Sequence, residues 1–212
     1  MQATRIIAIR HGETAWNLDT RLQGHLDIAL NPTGLRQAAQ VARALSAEAI
    51  DAVYASDLLR AWQTANAIAH ATGSTLTADR GLRERSFGEF EGRTYAEIET
   101  TWPEASQRWR TREPHWAPPG GESLSALRER ILTTASTLAQ RHLGGQIVLV
   151  AHGGVMDILY RLATGQELQA PRSWQLGNAA INRLLWTPEG FTLVGWSDTR
   201  HLEGSELDEG ST

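Results

Sequence analysis

Cysteine does not occur in this chain, which excludes disulfides, thiolate metal sites and cysteine nucleophiles. The absence also suits a cytoplasmic setting. Lysine is missing as well, and all 20 basic residues are arginine. That removes Schiff-base chemistry, pyridoxal-phosphate attachment and the P-loop lysine. Any anion must therefore be held by arginine, histidine, amides and hydroxyls. No stretch approaches the roughly 20 continuous apolar residues of a membrane span. The opening "MQATRIIAIRHGE" lacks a signal-peptide layout, because its apolar run is short and ends in Arg-His. Nor is there a basic excess: the net charge is −4, so neither nucleic acid nor a membrane is an expected partner.

What is present fits one globular domain. A chain of 212 residues can bury a substantial core in one domain and at most two. Short apolar runs read as strands: "RIIAIR" (5–10), "AVYAS" (52–56), "STLTAD" (74–79) and "QIVLVAH" (146–152). Between them lie apolar residues at helical spacing: Leu35, Ala38, Ala42 and Leu45; Leu59, Ala65 and Ile68; and most regularly Leu124, Leu127, Ile131, Ala135 and Leu138. This alternation predicts an α/β three-layer sandwich, with a mostly parallel central sheet and helices on both faces. "INRLLW" (181–186) and "FTLVGW" (191–196) flank "TPEG", a hairpin signature that adds an antiparallel edge strand. Residues 80–121 are irregular and rich in Trp and Pro, and predict one or two short helices set in loops. The expected domain runs over 1–200, with 201–212 as a flexible acidic tail.

Two strands end alike. "IIAIRHGE" (6–13) and "IVLVAHGG" (147–154) both stop at His-Gly, where glycine permits a tight turn and close backbone approach to a ligand. In open parallel sheets, ligands bind beyond the carboxyl ends of the strands. If these strands are neighbours, about 4.8 Å apart, His11 and His152 meet at one edge. "VYASDLLRAWQT" ends its apolar run at Ala55, so Ser56 or Asp57 is expected to cap the next helix, with Arg60 in its first turn. Taken singly, a His-Gly is a turn and an arginine is a surface residue. Together, cations converging on one edge would repel one another without an anion, and a phosphoryl group suits arginine's planar fork.

Six blocks, "RHGETAWN" (10–17), "SDLLRAWQTA" (56–65), "LRERSFGEFEG" (82–92), "PPGGESL" (118–124), "VAHGG" (150–154) and "NAAINRLLW" (178–186), resemble the histidine phosphatase superfamily, the phosphoglycerate mutase-like proteins. The likeness covers nearly the whole chain. It implies that His11 is a nucleophile that takes the phosphoryl group onto a ring nitrogen. Flanking arginines would keep that imidazole neutral. The same resemblance assigns Arg10, Arg60, His152 and Asn17 to the phosphate clamp, with Gln23, Gly24 and Gly153 beside it. Glu84 matches the family's general acid, with Glu89 and Glu91 as local rivals. A carboxyl beside a phosphate dianion holds its proton more tightly. Glu13 either orients His11 indirectly or takes a solvated or helix N-terminal role.

Neither a metal nor a cofactor is called for. His11, His152, Glu84 and Asp157 could be drawn as ligands, but adjacent arginines repel a divalent ion. His25, His70, His115, His142 and His201 have no evident partner and default to surface or packing roles. The predicted function is a metal-independent phosphomonoesterase acting on small phosphorylated metabolites. A cofactor-dependent phosphoglycerate mutase and a non-catalytic phospholigand-binding protein are the alternatives. The resemblance implies a longer insertion in the cofactor-dependent mutases; here the interval runs only from Gly92 to Gly120 and, apart from Arg108, Arg110 and Arg112, lacks the basic character expected for a second phosphate or carboxylate, which favours the phosphatase. Trp102, Trp109 and Trp116 punctuate it and either roof the pocket or pack the crossover. The same Trp-rich face could serve a homodimer.

Overall fold

The computed structural model describes residues 2–203. Its strands are β1 (Thr4–Arg10), β2 (Ala52–Ala55), β3 (Leu76–Ala78), β4 (Gln146–Ala151), β5 (Ile181–Thr187) and β6 (Gly190–Asp198). Its helices are α1 (Ala15–Leu18), α2 (Pro32–Leu45), α3 (Leu59–Thr72), α4 (Tyr95–Thr101), α5 (Pro103–Arg110), α6 (Leu124–Gln140) and α7 (Gly153–Thr164). One sheet runs in the order β3-β2-β4-β1-β5-β6. Strands β3, β2, β4 and β1 are parallel, and the β5–β6 hairpin adds two antiparallel strands beside β1.

The central strands are apolar without a break because both sheet faces are covered. On β1, Ile6 and Ala8 face one core with α6 and α7, while Ile7 and Ile9 face the other with α2 and α3. Strand β4 divides in the same way, with Ile147 and Leu149 on one side and Val148 and Val150 on the other. The predicted α6 stripe is buried along its whole length. The three-layer α/β arrangement and the antiparallel hairpin agree with the sequence reading. Residues 80–121 hold two helices, α4 and α5, and two 3-10 turns.

Four expectations need correction. Leu35 and Leu59 are exposed; their neighbours Gly34 and Arg60 take the inward positions in the first turns of α2 and α3. Gly34 must be small, since a Cβ there would collide with the Glu13 backbone. Neither Ser56 nor Asp57 caps α3. The cap position is Leu58, and Asp27 Oδ1 accepts the Leu59 N–H at 2.7 Å from across the chain. Asp57 instead pairs with Arg83 at 2.6 Å. Finally, residues 204–212 of the expected tail lie outside the described residues, but its first two are folded: Arg200–Leu202 form a 3-10 turn and Leu202 packs on the core.

Candidate active site

The β1–β4 register pairs Arg10 with Ala151, which sets His11 opposite His152. The rings lie 5.3 Å apart, centroid to centroid. His11 Nδ1 is 2.7 Å from the Gly12 carbonyl oxygen. A carbonyl only accepts, so Nδ1 carries the hydrogen and Nε2 holds a free lone pair. Two further contacts hold this corner: Gly12 N–H donates to Thr64 Oγ1 at 3.0 Å, and Asn178 Nδ2 donates to the His11 carbonyl at 2.8 Å.

Arg60 is almost wholly buried and donates to the carbonyls of Leu26 at 2.9 Å and Gly24 at 2.8 Å. It thereby draws the 23–26 loop over the strand ends. Gly24 adopts φ +50°, and a Cβ there would collide with Glu91, which accepts the His25 and Phe87 N–H groups at 3.0 Å each. Glu91 is thus a loop anchor. Arg10 donates to the Leu176 carbonyl at 2.5 Å. The Nε atoms of Arg10 and Arg60, both ring nitrogens of His152 and Gln23 Oε1 are buried without a partner among the described residues. Such a concentration of unsatisfied polar atoms marks a site built for a ligand.

Asn17 lies in α1 and closes a capping box with Thr14. Its Oδ1 accepts the Thr14 N–H at 2.9 Å, so its amide hydrogens are left for the cleft. Glu84 sits against the start of α7: Oε2 accepts the Gly154 N–H at 3.0 Å, and Oε1 accepts the Arg85 N–H at 2.7 Å. A side chain at Gly154 would displace it, since a Cβ there would collide with Glu84 Oε1.

Arg10, His11, Asn17, Gln23, Gly24, Arg60, Glu84 and Gly153 all line one cleft of about 580 Å³. His152 is fully buried beside His11, with both ring nitrogens unpartnered among the described residues. The tryptophans divide. All three pack around Phe90, and Trp109 alone of them also lines the cleft. Sequence reasoning missed Trp16, also in the cleft wall, and the positioning groups Thr64 and Asn178. Thr64 follows Arg60 by one helical turn, and Asn178 opens a block already noted, so both carried a signal. Three histidines have partners after all: His25 contacts the Glu84 carbonyl, His142 the Tyr54 hydroxyl and His201 the Ala179 carbonyl. Among the described residues no group of three or more His, Asp or Glu side chains is placed to hold a metal ion. None of the described helices is long and apolar enough to cross a membrane.

Burial, then the Arg60 and Arg10 charges, pushes His11 well below the ordinary imidazole pKa. Burial, Arg60 and His11 do the same to His152. Both rings are therefore neutral in the folded state. The unfolded chain takes up protons on both below about pH 6.5, and the folded protein refuses them. Stability is thus independent of these groups above that pH and falls as the pH drops below it. The two together cost about 2 kcal/mol between about pH 6.5 and 5.5, and the slope approaches about 2.7 kcal/mol per pH unit only below that. Urea unfolding between about pH 6.5 and 5.5 should show it, and His152→Gln should remove about half. A flat profile across that window would contradict two buried neutral rings.

The description "Histidine phosphatase superfamily (branch 1)" matches residues 6–199. The chain is 40% identical to phosphoglycerate mutase-like protein 4 of Arabidopsis thaliana, over 93% of this chain and 86% of that protein. It is 35% identical to a metal-independent phosphoserine phosphatase of the same plant, over 95% of this chain and 84% of that one. Among solved structures, a mycobacterial glucosyl-3-phosphoglycerate phosphatase complexed with VO3 superposes with TM-score 0.82 at 31% identity, covering 92% of this chain and 99% of its own. With its blocks in order, its strand topology and a match spanning nearly its full length, the chain belongs to the histidine phosphatase superfamily, branch 1.

Proposed function

We propose that this protein is a metal-independent phosphomonoester hydrolase acting on small phosphorylated metabolites through a phosphohistidine intermediate. The observation that carries the reading is the free Nε2 of a neutral His11 in a cleft that also presents Arg10, Arg60 and Glu84. Arg10, Arg60 and the Asn17 amide hold the phosphoryl oxygens, assisted by Gln23, Gly24 and the Gly153 end of α7. His152 joins this clamp, its two unpartnered ring nitrogens lying beside His11.

In the first half-reaction His11 Nε2 bonds to phosphorus and the ester P–O bond breaks. Glu84 gives its proton to the leaving oxygen. In the second, Glu84 takes a proton from water, which attacks phosphorus and breaks the N–P bond. Inorganic phosphate leaves, and both side chains return to their starting forms. The substrates are small phosphate esters and not nucleic acid or lipid, in keeping with the net charge of −4. A cytoplasmic setting belongs to the same reading.

The mutase reading keeps a specific support, since one relative is named phosphoglycerate mutase-like. One experiment separates the readings. The purified protein, with chelator present, is given an isotopically labelled aryl phosphate and quenched rapidly. Turnover with acid-labile label on the protein supports the hydrolase. Label that passes to monophosphoglycerate faster than to water supports the mutase. Binding without label or turnover supports the phospholigand binder.

A further inference from the structure

The tautomer of His11 depends on one carbonyl, that of Gly12, 2.7 Å from Nδ1. This oxygen belongs to the Gly12–Glu13 peptide group. A peptide group is rigid and planar, and its carbonyl and N–H point in opposite directions. Whatever holds the Glu13 N–H therefore aims the Gly12 oxygen. The Glu13 N–H donates to Gln37 Oε1, on α2, at 2.8 Å. We propose that Gln37 is a positioning residue for the nucleophile: through the Glu13 N–H it points the Gly12 carbonyl at Nδ1 and so keeps Nε2 free to attack phosphorus. This rests on the hydrolase reading and deepens it.

The peptide group needs such a hold. Gly12 has no side chain to resist its rotation. Turned over, the group would take the acceptor away from Nδ1 and present a donor there. The ring hydrogen would then sit on Nε2, and the attacking lone pair would be lost. The group before Gly12 is fixed separately, since Asn178 donates to the His11 carbonyl at 2.8 Å and the Gly12 N–H donates to Thr64 Oγ1 at 3.0 Å. Those bonds do not hold the group after it. Gln37 does.

The start of α2 is built around this contact. Gln37 follows Gly34 by three residues and shares its helix face. A Cβ on Gly12 would collide with the Gly34 carbonyl, so the loop and the helix lie backbone against backbone. Asn31, the cap of α2, holds Glu13 at its other end. Its N–H donates to the Glu13 carbonyl at 3.0 Å and its Nδ2 to Glu13 Oε1 at 2.8 Å. Both backbone groups of Glu13 are thus answered by α2 and its cap. One residue earlier, the Leu30 N–H donates to Gln63 Oε1 at 2.9 Å, which ties the cap to α3. The brace on His11 therefore comes from a helix that carries none of the phosphate-binding groups.

Gln37→Met keeps the length and helix preference of the side chain and removes the acceptor. Gln37→Glu keeps an acceptor. On an aryl phosphate, Gln37→Met should lower kcat about tenfold and leave KM within about twofold, because Arg10, Arg60 and Asn17 are untouched. Gln37→Glu should recover most of that loss. Gln40→Met, the same change further along α2, should leave kcat where it was. The direct readout is the ring itself, by nitrogen NMR of protein labelled at histidine, with the His11 signals assigned by their loss in His11→Ala. At neutral pH the unmodified protein should carry the His11 hydrogen on Nδ1 alone. Gln37→Met should place part of it on Nε2, and Gln37→Glu should return it. Gln37→Asn, an amide one methylene too short to reach, gives the same comparison if the methionine variant is unstable. A Gln37→Met protein that keeps its kcat would overturn the proposal. So would one that loses kcat with the His11 hydrogen still wholly on Nδ1, which is what a merely structural role produces. If no ester is turned over even by the unmodified protein, the hydrolase reading fails by itself, and the tautomer alone decides the role of Gln37.

Discussion

His11→Ala should lower kcat on an aryl phosphate by a factor on the order of 10⁴ to 10⁶, about 5 to 8 kcal/mol of transition-state stabilisation. KM should change little, because Arg10, Arg60 and Asn17 still bind the phosphoryl group. Label trapped on the protein should vanish. The rival nucleophile is His152, whose ring lies 5.3 Å away and is just as neutral. The ring that lines the cleft is His11, whose Nδ1 is committed to the Gly12 carbonyl and whose Nε2 is free. His152→Gln should therefore slow turnover yet leave label on the protein. Retention of more than about a tenth of the activity by His11→Ala would move the nucleophile elsewhere. His11→Ala also leaves a buried cavity, so its urea midpoint at neutral pH must show a folded protein for the loss to count. Removing a buried neutral imidazole makes the protein less sensitive to acid, and the urea profile reports that directly.

The parts of this protein legible from sequence share a cause. Strands β1 and β4 are buried on both faces, so each is an unbroken apolar run, and the residue type must change where the strand meets the ligand edge. His11 and His152 stand at that change, which is why two short words 141 positions apart could be paired from sequence alone. What escaped was set by contacts between distant segments. Asp27 caps α3 from another loop, a bond no local pattern encodes, so Ser56 and Asp57 looked like better candidates. Leu35 and Leu59 carry apolar side chains at plausible spacing, yet the inward position in each first turn is claimed by Gly34 and Arg60 for reasons of the site. The three tryptophans of the crossover look alike in sequence. All three pack around Phe90, and only its place in the cleft wall sets Trp109 apart from Trp102 and Trp116.

Glu84→Gln should separate the two half-reactions. In the intact protein each carboxylate oxygen accepts a backbone N–H, from Gly154 at 3.0 Å and Arg85 at 2.7 Å. An amide offers one acceptor and one donor, so the donor must face an N–H. The side chain then loses a hydrogen bond as well as its proton chemistry, a positional cost of about 1–3 kcal/mol. A purely positional loss would fall equally on every ester. A lost proton donor would not. For an alkyl phosphate, whose alkoxide cannot leave unprotonated, kcat/KM should drop about 10³-fold. For nitrophenyl phosphate, whose phenolate leaves unaided, it should drop only about tenfold. The second half-reaction then becomes diagnostic. With nitrophenyl phosphate the variant still transfers phosphorus to His11 but has no base to activate water, so the N–P bond persists. A burst of nitrophenolate, close to one equivalent per protein, should precede a slow steady state, and trapped label should exceed that of the unmodified protein. Equal losses on both esters without a burst would reduce Glu84 to a support for the start of α7. A burst with excess label would fix it as the group that moves the proton in both directions.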